Sequence, residues 1–130
     1  MNILEQIAAQ TRERIEAEKR QTPTEELIRQ IEATEQKKSK QSFYEALKKP
    51  GMSYICEVKK ASPSKGLIAS DFPYLDIARE YEAAGASAIS CLTEPFRFLG
   101  KDAYLQEIAA QVEIPVLRKD FTVDEYMIYQ

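Results

Sequence analysis

At 130 residues, 44% hydrophobic and 30% charged, the chain has the makeup of one soluble globular domain with a real core. A net charge of −3 and a pI near 5.2 exclude a nucleic-acid binder that works through a broad basic surface. The absence of histidine removes Ser-His-Asp and Cys-His triads and the commonest zinc sites, leaving any acid–base work to Lys, Glu, Asp, Tyr or Cys. Cys56 and Cys91 both fall in apolar, strand-like runs, which suits buried hydrophobes in a reducing compartment better than a disulfide or metal site. No run is long and apolar enough to span a membrane, and the N-terminus lacks the apolar core of a signal peptide. A cytoplasmic protein is expected.

Residues 3 to about 19 read as an amphipathic helix, with Leu4, Ile7, Ala8 and Ile15 on its apolar side. Thr22-Pro23-Thr24 breaks it. Thr24 opens a second, weaker helix carrying Leu27, Ile28 and Ile31. Residues 32–41 are almost wholly polar and read as a solvated connector without a function. Ser42-Phe43-Tyr44-Glu45 is a capping box for a short helix that Pro50-Gly51 stops.

Ser53 to Gly66 carries the chemistry. Its first half is a strand, and strand side chains alternate, so Ile55, Glu57 and Lys59 share one face while Tyr54, Cys56 and Val58 share the other. The second face is apolar and expected in the core. The first ends in a carboxylate and an ammonium, which cost several kcal/mol each to bury unless paired. A plain structural Glu-Lys pair is one reading, and a charged active-site floor is the other. Ser62-Pro63-Ser64-Lys65-Gly66 is loop chemistry, with Lys60 and Lys65 read as surface charges.

Asp71-Phe72-Pro73 starts the next helix, with Asp71 a candidate cap, Leu75, Ile77, Ala78, Tyr81 and Ala84 inward, and Gly85 its stop. Ala86 to Leu92 is a second strand, and residues 101–111 are a helix carrying Tyr104, Leu105, Ile108 and Ala109. Ile114 to Arg118 is a third strand, and Thr122-Val123-Asp124-Glu125 is a capping box for a last helix. Alternating strands and helices imply a parallel sheet with right-handed crossovers, either doubly wound or a (β/α)8 barrel. Lys119 occupies the strand-end position equivalent to Lys59, and barrels gather catalytic groups at strand C-termini, so the barrel is favoured. No G-x-G-x-x-G or G-x-x-x-x-G-K-[ST] follows any strand, so dinucleotide and P-loop readings lack their phosphate cradle.

E-V-K-K-A-S-P-S-K-G at 57–66, L-T-E-P-F-R-F-L-G at 92–100 and L-R-K-D-F at 117–121 closely resemble the indole-3-glycerol phosphate synthases, (β/α)8-barrel enzymes of tryptophan biosynthesis. The motifs come in the right order behind a helical N-terminal extension, and the resemblance covers essentially the whole chain. It implies an α/β barrel fold, here one domain over 1–130, with a helical extension at 1–50 and the first three strand–helix units at 51–130. A complete barrel needs eight strands and about 250 residues, so the chain is expected to be an N-terminal portion. It implies a carboxy-lyase that closes the ring of 1-(2-carboxyphenylamino)-1-deoxyribulose 5-phosphate, releasing carbon dioxide and water, without a metal or organic cofactor.

By the same resemblance Lys119 matches the general-acid lysine and Lys59 the lysine that binds substrate anions. Glu57 matches the carboxylate that steadies the lysines and the reacting amine, Ser62 a substrate-contacting serine, and Phe98 and Phe121 aromatic contacts to the anthranilate ring. A lysine partly desolvated among other cations makes a usable acid near neutral pH. The bland alternatives are a solvated strand-end charge for Lys119 and loop packing for Phe98. The family's second catalytic carboxylate and main phosphate loops belong to later strands, so this chain alone is expected to be inactive and to self-associate through its open edges. The other readings are a non-catalytic self-associating piece, or another phosphosugar barrel such as phosphoribosylanthranilate isomerase, which lacks E-x-K-x-x-S-P-S. No nucleic-acid or membrane partner is expected.

Overall fold

The computed structural model describes residues 1–34 and 41–130. The polar connector expected over 32–41 falls mostly on 35–40 and to that extent lies outside the described residues. The chain forms two compact units.

The helical unit contains α1 (Ile3–Gln21), α2 (Thr24–Ala33) and the short C-terminal α6 (Tyr126–Tyr129). Asn2 caps α1 by accepting from the Glu5 amide while the Glu5 carboxylate accepts from the Asn2 amide, a reciprocal pair that satisfies two donors. Its buried stripe is Ile7, Thr11 and Ile15; Leu4, expected inside, is exposed in the first turn. The Thr11 hydroxyl fits the apolar stripe because it donates to the Ile7 carbonyl at 2.8 Å. Ile15, Tyr126 and Met127 pack together with Leu27 and Val123, whereas Ile31 faces solvent. Lys19 holds Asp124 at 2.6 Å, and the Tyr126 hydroxyl donates to the Thr22 carbonyl at 2.6 Å. The capping box expected at Thr122–Glu125 does not form. Asp124 instead accepts from the Tyr126 amide at 2.8 Å, a shorter reach that starts the helix later.

In the sheet unit, α3 (Phe43–Lys48) is capped by Ser42, whose hydroxyl accepts from the Glu45 amide at 3.1 Å. There follow β1 (Ile55–Val58), a small antiparallel hairpin of β2 (Ala61–Ser62) and β3 (Gly66–Leu67), then α4 (Tyr74–Ala83), β4 (Ala88–Leu92), α5 (Asp102–Gln111) and β5 (Val116–Lys119). The order β1-β4-β5 is parallel throughout, with Glu57 beside Ser90, Ser90 beside Leu117, and Leu92 beside Lys119. Val58, Ile89 and Cys91 pack with Ala78 from α4 and with Ile108 and Val112 at α5 in one cluster. Both crossover helices therefore cover the same sheet face. A doubly wound sheet splits its helices between two faces, so the strands form an arc of a (β/α)8 barrel.

Several local expectations are corrected. Tyr54 is 58% exposed rather than core, because it precedes the ladder and lies outside the cluster. Its backbone is still paired, accepting from the Ser87 amide at 2.8 Å. Asp71 makes no cap, since Pro73 is the N-cap residue of α4. The second strand begins at Ala88 rather than Ala86 and the third at Val116 rather than Ile114, where Pro115 offers no amide to a ladder. Gly85 stops α4 as expected, taking φ +95 immediately after the helix. No helix among the described residues is long and apolar enough to cross a membrane.

Candidate active site

Parallel pairing carries the alternation of one strand to its neighbours, so Ile55, Glu57, Ser90, Leu117 and Lys119 all lie on the sheet face opposite the helices. A cleft of about 470 Å³ opens there, lined by Ile55, Glu57, Ser90 and residues 117–120. The Glu57 carboxylate is its centre. One oxygen accepts from Lys119 Nζ at 2.7 Å and from the Ser90 hydroxyl at 3.1 Å. The other oxygen lies 3.4 Å from Lys59 Nζ. Glu57 is held from behind as well, because the Tyr81 hydroxyl of α4 donates to its backbone carbonyl at 2.9 Å.

Burial pushes the Glu57 carboxyl up, but the hydrogen bond and charge of Lys119, helped by Ser90 and Lys59, outweigh that and hold it below its ordinary value. It is therefore ionised at neutral pH. One carboxylate between two ammonium groups leaves the cluster with a surplus positive charge; Glu57 and Lys119 line the cleft, and Lys59 pairs with Glu57 without lining it. Such a cluster can take a substrate carboxylate or phosphate, and it places a proton-bearing nitrogen beside whatever the cleft binds. Glu57 and Lys119 stand on strands with β4 between them, and Ser90 of β4 fills the gap beneath.

The remaining candidates are placed differently. Ser62 is buried and its hydroxyl accepts from the Lys65 amide at 3.2 Å, closing the turn of the β2–β3 hairpin. It is not among the residues lining the cleft. Phe98 is partly buried in the loop after β4 and does not line the cleft either. Phe121 belongs to the helical unit. Cys91 is no acid or nucleophile: burial first, and the Asp102 charge second, push its thiol up to about 12.

Two contributors escape a reading of the sequence. Ser90 looks like any small residue in A-S-A-I-S-C-L, and its role exists only once the register sets it beside Glu57. Glu94 is fully buried and its carboxylate accepts from three successive amides, Phe96 at 2.8 Å, Arg97 at 2.7 Å and Phe98 at 2.9 Å. That nest shapes the loop carrying Phe98. The available signal is a carboxylate just past an apolar strand and before P-F-R-F. Among the described residues no group of three or more His, Cys, Asp or Glu side chains could hold a metal ion.

The family model described as indole-3-glycerol phosphate synthase matches residues 4–130. Indole-3-glycerol phosphate synthases of Ruminiclostridium cellulolyticum and Endomicrobium trichonymphae are 52% and 55% identical over 128 residues, which is 98% of this chain and 49% of each relative. That of Thermoanaerobacter pseudethanolicus is 44% identical over 128 residues, 48% of its length. The chain spans about half the length of the curated relatives it matches.

Proposed function

Because the chain belongs to the indole-3-glycerol phosphate synthase family, we propose that Glu57, Lys59 and Lys119 form part of a carboxy-lyase site that turns 1-(2-carboxyphenylamino)-1-deoxyribulose 5-phosphate into indole-3-glycerol phosphate. The observation that carries this reading is the Glu57 carboxylate held between Lys119 and Lys59 at the C-terminal ends of parallel strands. Lys119 donates a proton at the ribulose carbonyl as the ring closes. Lys59 binds the anionic carboxylate that leaves as carbon dioxide. Glu57 steadies both ammonium groups and the reacting amine. Ser62, Phe98 and Phe121 are proposed substrate contacts by family resemblance, the two rings toward the anthranilate. In this reading residues 1–50 are the helical extension and 51–130 the first three strand–helix units of one domain. The free thiols Cys56 and Cys91 suit a cytoplasmic location.

The test is to follow indole product fluorescence after adding the substrate to a protein that carries this chain within a complete eight-stranded barrel. Product formation is expected. Binding without ring closure, or no binding, would defeat the reading.

The 130-residue chain by itself is expected to give no product and to pair with further copies of itself. Ile55 and Leu117 are 47% and 42% exposed on the cleft face, and β1 and β5 each pair on one side only among the described residues. Sedimentation at low micromolar concentration checks this. A cooperative, folded monomer would show that the core closes unaided and that the association argument is wrong.

A further inference from the structure

Lys119 reaches Glu57 across an intervening strand. Two strand spacings amount to about 9.6 Å, so the meeting at 2.7 Å depends on where the Lys119 backbone sits. A slip of one residue would turn the side chain to the opposite face. Among the described residues β5 pairs with β4.

That neighbour supplies Thr93, the residue just after β4. Its amide donates to the Lys119 carbonyl at 3.0 Å. Its hydroxyl donates to the Asp120 carboxylate at 2.8 Å and accepts from Arg118 Nε at 3.3 Å. One buried residue thus ties 118 and 120 through its hydroxyl and 119 through its amide. Arg118 closes the network outward, to Asp102 at 3.4 Å and to Asp120 at 3.9 Å. The Asp120 side chain is only 1% exposed, and Thr93 and Arg118 are among the partners that offset the burial of its charge. An ordinary strand end needs the amide bond alone; the hydroxyl and its two charged partners are additional.

We propose that Thr93 is the positioning residue for Lys119, holding the side chains on both sides of the lysine with its hydroxyl and the lysine's own carbonyl with its amide, so that the ammonium group stays against Glu57. The catalytic meaning of the clamp rests on the reading of Lys119 as the general acid, but the clamp itself does not. Its test therefore reads the Lys119–Glu57 contact rather than turnover.

The experiment is carbon-13 NMR titration of the Glu57 carboxyl in a protein carrying this chain within a complete barrel. Glu57 faces Lys119, Lys59 and Ser90, and Lys119 is the main group holding its titration down. Thr93→Val, which keeps the shape and removes the hydroxyl, will shift the Glu57 midpoint upward. Thr93→Ser will restore it. A purely structural threonine would change melting and leave the midpoint of the folded chain where it was. Asp120→Ala covers the case in which Thr93→Val does not fold. Removing that negative charge would by itself lower the Glu57 midpoint, so a rise there reports a displaced lysine. An unchanged or lowered midpoint in the folded variants overturns the proposal. A failed synthase assay alongside the predicted shifts would strike the proposed function and leave the clamp standing.

Discussion

Lys119→Met, in a protein carrying this chain within a complete barrel, will lower turnover by roughly 10²–10⁴-fold, the range for a lost general acid, while substrate affinity changes far less. Methionine keeps most of the bulk of lysine, so the cleft retains its shape. What disappears is the proton donor and the closer of the two cations on Glu57, at 2.7 Å against 3.4 Å for Lys59. The Glu57 carboxyl will then titrate higher, because burial still raises it and its main opposing partner is gone. The pH–rate profile should lose the limb belonging to the acid. Near-normal turnover in this variant would mean that Lys119 is only a strand-end charge, as its 52% exposure would allow.

Gly100→Ala carries the largest expected effect on stability. A Cβ at Gly100 would fall on the Leu92 carbonyl oxygen and 2.7 Å from both the Leu92 carbonyl carbon and Thr93 Cα. All three are backbone atoms of the segment leading out of β4, so no flexible side chain can yield. The Gly100 amide also donates to the Glu94 carbonyl at 2.8 Å, which anchors the end of the loop that Glu94 shapes. Overpacking of this kind costs about 3 kcal/mol, a loss on the order of 10 °C in thermal midpoint for a chain of this size. Differential scanning calorimetry of the variant beside the parent is the check. An unaltered midpoint would show that the loop after β4 relaxes freely, and the account of Glu94 and Gly100 as its fixed points would fail.

How far the site could be read in advance depended on which residues needed only their own strand. Alternation alone puts Glu57 and Lys59 on one face, and the same rule applied to β5 puts Lys119 there. Those are local facts about a pleated chain. Ser90 needs the register between β1 and β4, and Thr93 needs the end of β5 laid beside the end of β4, so neither role is visible in one segment. Tyr54 shows the reverse failure. It has the right parity for the core and an aromatic ring, yet it stands one residue before the ladder, where the apolar cluster no longer reaches. Helix starts were legible where the cap lay directly beside the helix, as at Ser42, and illegible where two acceptors competed, as at Thr122 and Asp124. The hairpin after β1 looks like plain loop in the sequence because β2 and β3 are two residues each, too short for any periodicity to register.

The most direct measurement is a crystal structure of a protein carrying this chain within a complete barrel, bound to an unreactive substrate analogue whose ribulose carbonyl is reduced to the alcohol. The account predicts the analogue in the cleft between Glu57 and Leu117, its new hydroxyl within hydrogen-bonding distance of Lys119 Nζ and its benzoate carboxylate against Lys59. An analogue bound away from Glu57, or one whose hydroxyl meets neither lysine, would contradict it.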